Sequence, residues 1–436
     1  MQPKVTIEFG GRQVGVVELD LKGTAEEIEE QVRGGVQRVG RIVLETALQQ
    51  AEVETPAPDC CGQRAESRGW RVLTLQSTFG RLKLSRRRYR CSHCGREHYP
   101  ADLEWRCGRH RMTRPLAKRV CQLATGCHFP QLPGLLRDQH GLQLQHEAIL
   151  QVVHDVGAVA ESQRRLSAQL SIRRAHERGQ QIVPEVRPSR VCVSCDGIMY
   201  CTNQSEEIPG QPGSRRLIWQ QMKVGCVSWQ DEQEQWHKQL VWGRESPAEF
   251  GASLFELACR CGYLQAKEKL FASDGGAWCW DIQARYLYDA EGILDWYHAS
   301  EHVWAAARRV CQDETRIRKW VDEALTTLGT SGGTGLLTWL ESQVGQRRGK
   351  PRQAIEELRN YVSQHIRHMN YAAYRTSGWP IGTGMMESSC KQLVGIRLKG
   401  PGMHWTEDGA IAVTALRALE LNNKWHEFWS SLILVA

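Results

Sequence analysis

The stretch KLFASDGGAWCWDI, from Lys269 to Ile282, contains the pattern that decides the fold of this chain. Its apolar run, Leu270–Ala272, predicts a buried strand that reaches a carboxylate at Asp274 and is followed at once by two glycines. A helical pattern that carries two tryptophans comes next. A carboxylate at a strand end usually indicates a solvated side chain, but the two glycines favour a site that another group approaches closely.

Length and composition are those of an ordinary globular protein. The 436 residues predict roughly two to four domains, and 41% of them are hydrophobic, which is enough for a sizeable core. No apolar run reaches the roughly 18 residues needed to cross a bilayer, and the N-terminal residues lack the charged-then-apolar layout of a signal peptide. These features predict a cytoplasmic protein, whose 16 cysteines are thiols or metal ligands rather than disulfides.

The positive charge of the chain is clustered. The formal net charge is only +7, but three runs are rich in Arg and Lys: Gly80–Arg90, Arg106–Arg119 and Gly345–Gln353. Such runs fit a polyanionic partner, because contacts with phosphates dominate nucleic-acid affinity. A solvated surface explains any single run equally well.

Residues 56–111 predict a zinc-ribbon-like β module. Alternating strands lie between an adjacent cysteine pair and a Cys-x-x-Cys knuckle. Two knuckles that flank a hairpin supply four ligands for one structural zinc ion, which replaces a hydrophobic core. The first knuckle is irregular, and His98 and Cys107 are alternatives to Cys60 for the fourth ligand. The predicted ligands are Cys60, Cys61, Cys91 and Cys94.

The remaining N-terminal segments predict mainly helices. Residues 1–55 predict a strand pair and one helix. Residues 112–160 contain a helix, a turn at Gly141 and a further helix, which is typical of a helix-turn-helix whose second helix enters the major groove of DNA. Helical hairpins are also common in proteins that bind no DNA. Residues 161–189 start as a helix and continue through two prolines, which indicates a linker.

Beyond residue 190 the pattern changes to β-β-β-α-β-α-β-α. Three antiparallel strands followed by α/β crossovers are the order of an RNase H-like fold, in which the first and fourth strands lie side by side. The first strand is expected to end on Asp196 and Gly197, and the fourth on Asp274. The fold therefore predicts that Asp196 and Asp274 are neighbours.

Two carboxylates on neighbouring strands repel each other unless a cation lies between them. Magnesium or manganese suits such a site, and two ions clamp the attacking and leaving oxygens of an in-line phosphoryl displacement. A third carboxylate is expected from a later helix, and Glu387 lies in the first turn of a predicted helix. The alternative for Glu387 is a surface pair with Lys391, in which case Glu301 is the next candidate for the third ligand.

Several segments make the chain similar to a known family. They are YRCSHCG with the following YPADLEW, WQQMKVGCV, SDGGAWCWDI, ILDWYHASEHV and the long segment GTGMMESSCKQLVGIRLKGPGMHWTEDGAIAVTALRAL. The chain resembles the DDE transposases of bacterial insertion sequences, most closely the ISKra-type family, from the cysteine module to its end. It departs from the family pattern at the first cysteine knuckle, where a Cys-x-x-Cys would be usual.

The resemblance implies that Asp196, Asp274 and Glu387 form a catalytic, metal-binding triad. Asp295 and His298 are similar to the Asp-x-x-His signature of related families, where it supports DNA handling, and a histidine at a helix start is the structural alternative for His298. The 113 residues between Asp274 and Glu387 exceed what a compact core needs, so a helical insertion that contacts DNA is implied.

The complete expectation is an α/β protein with an RNase H-like catalytic core and a large helical insertion, preceded by the zinc-ribbon-like module and the helix-turn-helix region. The core is predicted at residues 190–303 and 381–436, and the insertion at 304–380. The residues predicted to contact DNA are Arg86, Arg87, Arg88, Arg90, Asp295, His298, Arg347, Arg348, Lys350, Arg397, Lys399 and Trp405.

The activity implied is metal-dependent cleavage of a DNA strand, followed by transfer of its 3′-hydroxyl end to target DNA. The partners implied are double-stranded DNA, as terminal inverted repeats and as target, and at least one further copy of the chain. Such a bacterial protein would be cytoplasmic and associated with the nucleoid when bound to DNA. Two alternatives are a domesticated, catalytically inactive DNA-binding relative and a stand-alone RNase H-like nuclease. The N-terminal modules argue against the second.

Overall fold

The computed structural model of the chain describes residues 3–106, 108–178, 182–345 and 347–432. The chain divides into two compact units. Unit 1 comprises Met1–Ala160 and Lys424–Ala436, and unit 2 comprises Glu161–Asn423. Within the described ranges, none of the helices combines the length and the apolar character that a membrane span requires.

Unit 1 consists of short sheets and helices. Its strands are β1 (Lys4–Phe9), β2 (Arg12–Glu18), β3 (Asp59–Cys60), β4 (Gln63–Arg64), β5 (Glu66–Ser77), β6 (Gly80–Arg90) and β7 (Glu97–His98). Its helices are α1 (Ala25–Glu54), α2 (Pro100–Trp105), α3 (Arg114–Gly126), α4 (Leu132–His140) and the first part of α5 (His146–Arg178).

The β5–β6 hairpin carries a hydrophobic core of unit 1. Alternation along each strand places its leucines on one face, where they pack against α1 and α2. The residues of this core are Leu73, Leu75, Leu82, Leu84, Ala101 and Trp105, with Leu44 and Leu48 at its edge. Helix α1 begins at a capping box in which Thr24 and Glu27 bond each other's backbone N–H groups.

Helix α4 ends at Gly141, whose φ of +63° is left-handed and typical of a helix C-terminus. Helix α5 starts at His146 and continues to Arg178. The linker predicted for residues 161–189 is therefore largely the end of a long helix. Proline is the residue that most strongly stops a helix, and the first proline after His146 is Pro184.

Unit 2 is built around one sheet. Its strands are β8 (Arg190–Glu207), β9 (Arg215–Gln230), β10 (Trp236–Gly243), β11 (Glu268–Ser273) and β12 (Glu291–Leu294). Its helices after α5 are α6 (Pro247–Arg260), α7 (Ala277–Tyr286), α8 (Trp296–Val310), α9 (Glu314–Val344), α10 (Gly349–His365), α11 (Tyr371–Thr376), α12 (Gly384–Cys390), α13 (Ile396–Leu398) and α14 (Glu407–Leu421). Helix α15 (Trp425–Ser431) belongs to unit 1.

The strand order of this sheet is β10-β9-β8-β11-β12. Strands β10, β9 and β8 pair antiparallel, whereas β11 pairs parallel with both β8 and β12. The sheet is therefore mixed, and the predicted mixed α/β class is confirmed.

Both faces of the sheet are covered by helices. Along β8, Val191, Val193 and Cys195 point to a core that includes α6 and α7. Cys192 points to the opposite core, together with Leu270 of β11 and residues of helices α8 to α11. This two-residue alternation fixes which face each later side chain of β8 and β11 occupies.

Two predicted strand ends differ from the structure. Strand β8 does not stop at Asp196 but continues to Glu207, because β9 pairs with it on both sides of Asp196. Strand β12 stops at Leu294, and Asp295 caps helix α8 by accepting a hydrogen bond from the His298 backbone N–H. The segment GILDWYH predicts a strand that runs to His298, and this prediction is wrong because an Asp three residues before a free backbone N–H favours a helix start.

Candidate functional site

Four cysteine thiols of unit 1 lie close together. The Sγ atoms of Cys60, Cys61, Cys91 and Cys94 all lie within 4.8 Å of one another. The Sγ of Cys60 is 3.6 Å from that of Cys94 and 4.0 Å from that of Cys61. A tetrahedral zinc ion with Zn–S bonds of about 2.3 Å holds its sulfurs roughly 3.8 Å apart. The four thiols can therefore hold a zinc ion.

A tight turn explains how two adjacent cysteines can both belong to this cluster. Cys60 pairs with Gln63 across the β3–β4 hairpin, which leaves Cys61 and Gly62 as a two-residue turn. Their φ angles are +53° and +77°, as a type I′ hairpin turn requires. The turn folds the chain back sharply, and the irregular knuckle noted in the sequence is compatible with metal binding.

The second knuckle has the local geometry that favours a thiolate. The backbone N–H of Gly95 donates to the Cys91 carbonyl at 3.0 Å, with Gly95 in the left-handed region at φ +70°. The backbone N–H groups of Cys94 and His93 lower the pKa of Cys91 to about 6. A thiolate is the form of cysteine that binds metal.

One of the two alternatives for the fourth zinc ligand, His98, is excluded by the structure. His98 is not part of the cluster, because it lies in β7 opposite Tyr89 of β6. Cys107 lies outside the described residues. Of the described candidates, Cys60 is the one that completes the set.

In unit 2, Asp196 and Asp274 lie at matching positions of neighbouring parallel strands. The last parallel pair of β8 and β11 joins Ser194 to Ala272. Each aspartate lies two residues beyond its member of that pair, so both belong to the same face of the sheet. Adjacent strands are about 4.8 Å apart, and the two carboxylates interact electrostatically. The structure thus brings these two predicted residues together.

Backbone N–H groups hold both carboxylates. The Gly197 N–H donates to Asp196 Oδ1 at 2.5 Å, and the Gly276 N–H donates to Asp274 Oδ1 at 3.1 Å. Gly275 has a φ of +104°, which disfavours any residue with a side chain. The glycine after Asp274 is therefore required by backbone conformation, whether or not DNA approaches it.

Glu387 enters the same region from helix α12, which packs against β8 and β9. Its exposed side chain lines a cleft of about 660 Å³ together with Asp196, Lys391 and Lys399. The helix continues into a π-helical turn, a feature frequent at functional sites. Asp274 does not line this cleft, so Asp196 is the carboxylate that lies near both of the others.

The electrostatics of Asp196 favour a bound cation. Burial raises its pKa, and so do the Asp274 and Glu387 carboxylates, while the Gly197 N–H opposes the change. Cys390 is buried beside it, with its Sγ 3.9 Å from Asp196 Oδ2. A cation would relieve the repulsion between like charges.

The donor chemistry fits a hard divalent cation, because all three predicted ligands are carboxylates and Mg²⁺ prefers oxygen. The three carboxylates lie farther apart than the four thiols of the cysteine cluster. Within the part of the chain that the structure describes, the cysteines are the one group of three or more ligating side chains that lie mutually within 4.8 Å. The carboxylates would need to move closer together, or to share two ions, to ligate metal.

Asp295 has a structural role that the sequence did not indicate. It is 2% exposed, and its Oδ2 accepts hydrogen bonds from both the backbone N–H and the hydroxyl of Thr383. Thr383 directly precedes α12 and thus Glu387. The prediction that Asp295 contacts DNA is wrong, because its buried carboxylate accepts hydrogen bonds from α8 and from Thr383. These bonds connect α8 to the segment that carries Glu387.

His298 begins a row of rings that sequence reasoning missed. Its ring lies 5.0 Å from that of His302, which stacks on Tyr361 at 3.8 Å, and Tyr361 lies 4.9 Å from His365. Burial lowers the pKa of His302 and of His365. Asp274 interacts electrostatically with His365 and Tyr361. The i, i+4 spacing of both pairs, on α8 and α10, was the available sequence signal.

Two further residues predicted to contact DNA are buried. Arg397 is 1% exposed, and its guanidinium lies 4.8 Å from the centre of the Trp405 ring, which is 6% exposed. Neither side chain can reach a phosphate or a base from this position. Both predictions are corrected: Trp405 forms a bridge with Thr202 of β8, and its ring shields the buried cation.

The arginine run of β6 is largely used within unit 1. Arg86 pairs with Asp102 and lies over the Tyr99 ring, and its side chain is only 15% exposed, so the predicted phosphate contact is wrong for this residue. Arg88 pairs with Glu97, and Arg87 lies over the Trp70 ring. Of the four arginines of β6 that were predicted to contact DNA, Arg90 is the exposed one.

The remaining predicted cations differ in exposure. Arg347 donates to the Gln343 carbonyl at the end of α9, which restrains it. Arg348, Lys350 and Lys399 are exposed. Of these, Lys399 lies in the cleft with Asp196. Lys391, which the sequence suggested only as a surface partner for Glu387, also lines that cleft.

No protein-family model matches the chain, and a search of curated proteins finds no significant relative. Function therefore has to be inferred from the chemistry of the cysteine cluster and the carboxylate cleft.

Proposed function

We propose that the chain is a DNA transposase of the DDE type, which cleaves a DNA strand and transfers its 3′ end with the help of divalent cations. The observation that carries the proposal is the register of β8 and β11, which supports a shared role for Asp196 and Asp274. Glu387 supplies the third carboxylate beside Asp196. The strand order, with three antiparallel strands and two parallel ones, agrees with an RNase H-like core.

The reaction needs no energy-rich cofactor. A water oxygen attacks the phosphorus, the bond from phosphorus to the 3′ oxygen breaks, and that oxygen leaves as a 3′-hydroxyl after taking up a proton. The 3′-hydroxyl then attacks a target phosphodiester, so that one P–O bond forms as another breaks. Mg²⁺ held by Asp196, Asp274 and Glu387 would supply positive charge for the attacking and leaving oxygens.

The residues of the chain hold and orient the substrate. Asp196, Asp274 and Glu387 would ligate the cations. Lys391 and Lys399, on the same cleft, would neutralise phosphate oxygens of the scissile strand. The cysteine cluster, with one zinc ion, would stabilise the DNA-binding module. The protein would act in the cytoplasm of a bacterium, as at least a dimer, because two DNA ends have to be joined.

The test uses duplexes copied from the DNA on both sides of the coding sequence, where the ends of an insertion sequence lie. Purified protein should cut these duplexes at one strand-specific position with Mg²⁺ or Mn²⁺, leave a 3′-hydroxyl, and join that end to a plasmid. Ca²⁺ alone should support binding without joining. Specific binding without cleavage in Mg²⁺ and in Mn²⁺ would instead favour the inactive DNA-binding relative.

A further inference from the structure

A second cleft, in unit 1, has an unusual lining. Its volume is about 1000 Å³, and it lies between helix α1, the tip of the β5–β6 hairpin, the segment 109–112 and the start of α5. Among the residues that the structure describes, no aspartate or glutamate lines it. Five arginines do: Arg38, Arg41, Arg81, Arg109 and Arg111. We name it the arginine cleft.

Most of these arginines are not neutralised by the protein. Within the described residues, Arg41, Arg81 and Arg111 make no ion pair, and Arg81 and Arg111 are exposed. Arginines without an acidic partner around one concave surface repel one another and raise the local potential, which attracts a polyanion. This contrasts with Arg86 and Arg88, whose charges are neutralised by Asp102 and Glu97.

Arg109 is positioned by α5. Its guanidinium makes two hydrogen bonds to Asp155, at 2.7 and 3.0 Å. A bidentate pair fixes the guanidinium plane and orients it. Asp155 lies one helical turn beyond Gln151, which faces the cleft, so the same helix presents a polar side chain and anchors an arginine.

Glutamines supply the neutral part of the lining. Gln143, Gln145 and Gln151 are exposed in the cleft, at the turn before α5 and on its first turns. A glutamine amide both donates and accepts, which suits the edge of an adenine in a major groove. Phe79 is the aromatic residue in the lining, whereas recognition of single strands relies on several stacked rings.

We infer that the arginine cleft is a binding surface for double-stranded DNA, with the start of α5 directed at the major groove and the arginines at the flanking phosphates. The inference rests on the proposed function for its choice of DNA, and it assigns the contact to residues other than Arg86, Arg87, Arg88 and Arg90. The B-DNA major groove is about 12 Å wide and admits a helix, whereas that of duplex RNA is too narrow.

The test is the salt dependence of binding, measured by fluorescence anisotropy with the full-length protein and a labelled 30-base-pair DNA of mixed sequence, without added Mg²⁺. Each lost phosphate contact lowers the slope of log K against log salt by about 0.9. The triple change Arg41→Ala, Arg81→Ala and Arg111→Ala should therefore lower the slope by about 2 to 3. Affinity at 0.1 M salt should fall by roughly tenfold or more.

The matched control removes three exposed arginines of unit 1 that do not line the cleft, Arg12, Arg71 and Arg119. It changes net charge equally and should lower the slope by less than 1. Lysine at positions 41, 81 and 111 should restore the slope, because phosphate contact needs charge and not a guanidinium. If the triple alanine variant does not fold, Arg81→Gln alone, at an exposed hairpin position, should still lower the slope by about 1.

Three results would overturn the inference. Equal slopes for the cleft variant and wild type would do so, as would an equal loss in the control variant. Tighter binding of duplex RNA or single-stranded DNA than of duplex DNA would assign the cleft to another ligand. Because the assay needs no Mg²⁺, DNA binding through the cleft by a protein that never cleaves would support this inference and overturn the proposed transposase activity alone.

Discussion

The cysteine cluster and the carboxylate cleft are two candidate metal sites that the chain builds by different means. Two tight turns, at Cys61 and Gly95, place four thiols within 4.8 Å. The carboxylate cleft instead depends on the register of β8 with β11 and on the docking of α12. Tight local turns make the cysteine cluster compact. The carboxylate cleft is assembled by tertiary packing and is more open.

The difference also follows from charge. Protonated thiols are neutral and tolerate mutual contact, whereas carboxylates repel, as the raised pKa of Asp196 reflects through its burial and through Asp274. A metal in the cysteine cluster should therefore act mainly on folding. A metal in the carboxylate cleft should act mainly on catalysis.

The largest effect is expected for removal of a zinc ligand. Cys91→Ser should abolish stoichiometric zinc and unfold the β module, since structural zinc binding is worth about 10–16 kcal/mol in small zinc domains. Zinc content by mass spectrometry and thermal unfolding measure both effects. Cys127→Ser changes a thiol of unit 1 outside the cluster and should keep the zinc. A folded Cys91→Ser protein with one zinc per chain would show that the cluster is not the site.

Next in size is the effect of the third carboxylate. Glu387→Gln keeps the shape and removes the charge, so strand cleavage should fall about 100- to 1000-fold, the equivalent of roughly 3–4 kcal/mol. Glu301→Gln alters an exposed carboxylate that interacts with His298 and should cleave at the wild-type rate. The reverse ranking of the two variants would transfer the third ligand to Glu301.

The two glycines after Asp274 should differ in stability. Gly275→Ala forces a side chain into φ +104° and should cost about 1–3 kcal/mol in chemical denaturation. Gly276 has φ −56°, and the nearest atoms to an added Cβ are 3.4 Å away or more. Gly276→Ala should therefore fold normally. If it folds and binds DNA but does not cleave, Gly276 is needed to admit the DNA backbone.

The smallest effect concerns pH and the metal-free protein. The folded-state pKa of Asp196 is raised, so its charged form opposes folding as pH rises from about 3.8 through that pKa. Asp196→Asn should be more stable than wild type at pH 7 and equally stable below pH 3.8. Urea unfolding at several pH values measures this. A wild-type protein that is the more stable one at pH 7 would contradict the repulsion.

Adding Mg²⁺ should reverse that difference, because a ligand that binds the folded state stabilises it. Wild-type protein should gain stability with Mg²⁺ concentration, and Asp196→Asn should gain much less. The cysteine cluster should show no response to Mg²⁺, since thiolates do not suit this cation.

The alternation of strands and helices in unit 2 was predictable, because each strand or helix has its own hydrophobic periodicity and is followed by residues that end it. The apolar run before Asp274 is a buried strand in both the prediction and the structure. The strand end at Asp196 was not predictable, because pairing with β9, and not the local sequence, extends β8. The pair Asp196-Gly197 indicated a strand end because the pairing with β9 could not be known from the sequence.

The sequence also failed to predict which charged and aromatic side chains are buried. Arg397 and Trp405 occur in glycine-rich sequence, and Asp295 is a charged residue at a strand end, which suggested surface positions. Tertiary contacts decide otherwise: a cation lies over a ring, and a carboxylate accepts hydrogen bonds from Thr383. The arginine cleft was missed for the converse reason, since its five arginines come from three separate segments of the chain.

The most direct measurement of the central claim is Mg²⁺-dependent strand cleavage by Asp196→Asn and Asp274→Asn, beside Asp281→Asn as an exposed carboxylate of α7. The first two should lose cleavage by about 1000-fold, because each removes a metal ligand, while their DNA binding, and their melting temperature without Mg²⁺, stay at or above wild-type values. The Asp281→Asn variant should cleave normally. Wild-type cleavage by a well-folded Asp274→Asn protein would contradict the assignment of the carboxylate cleft.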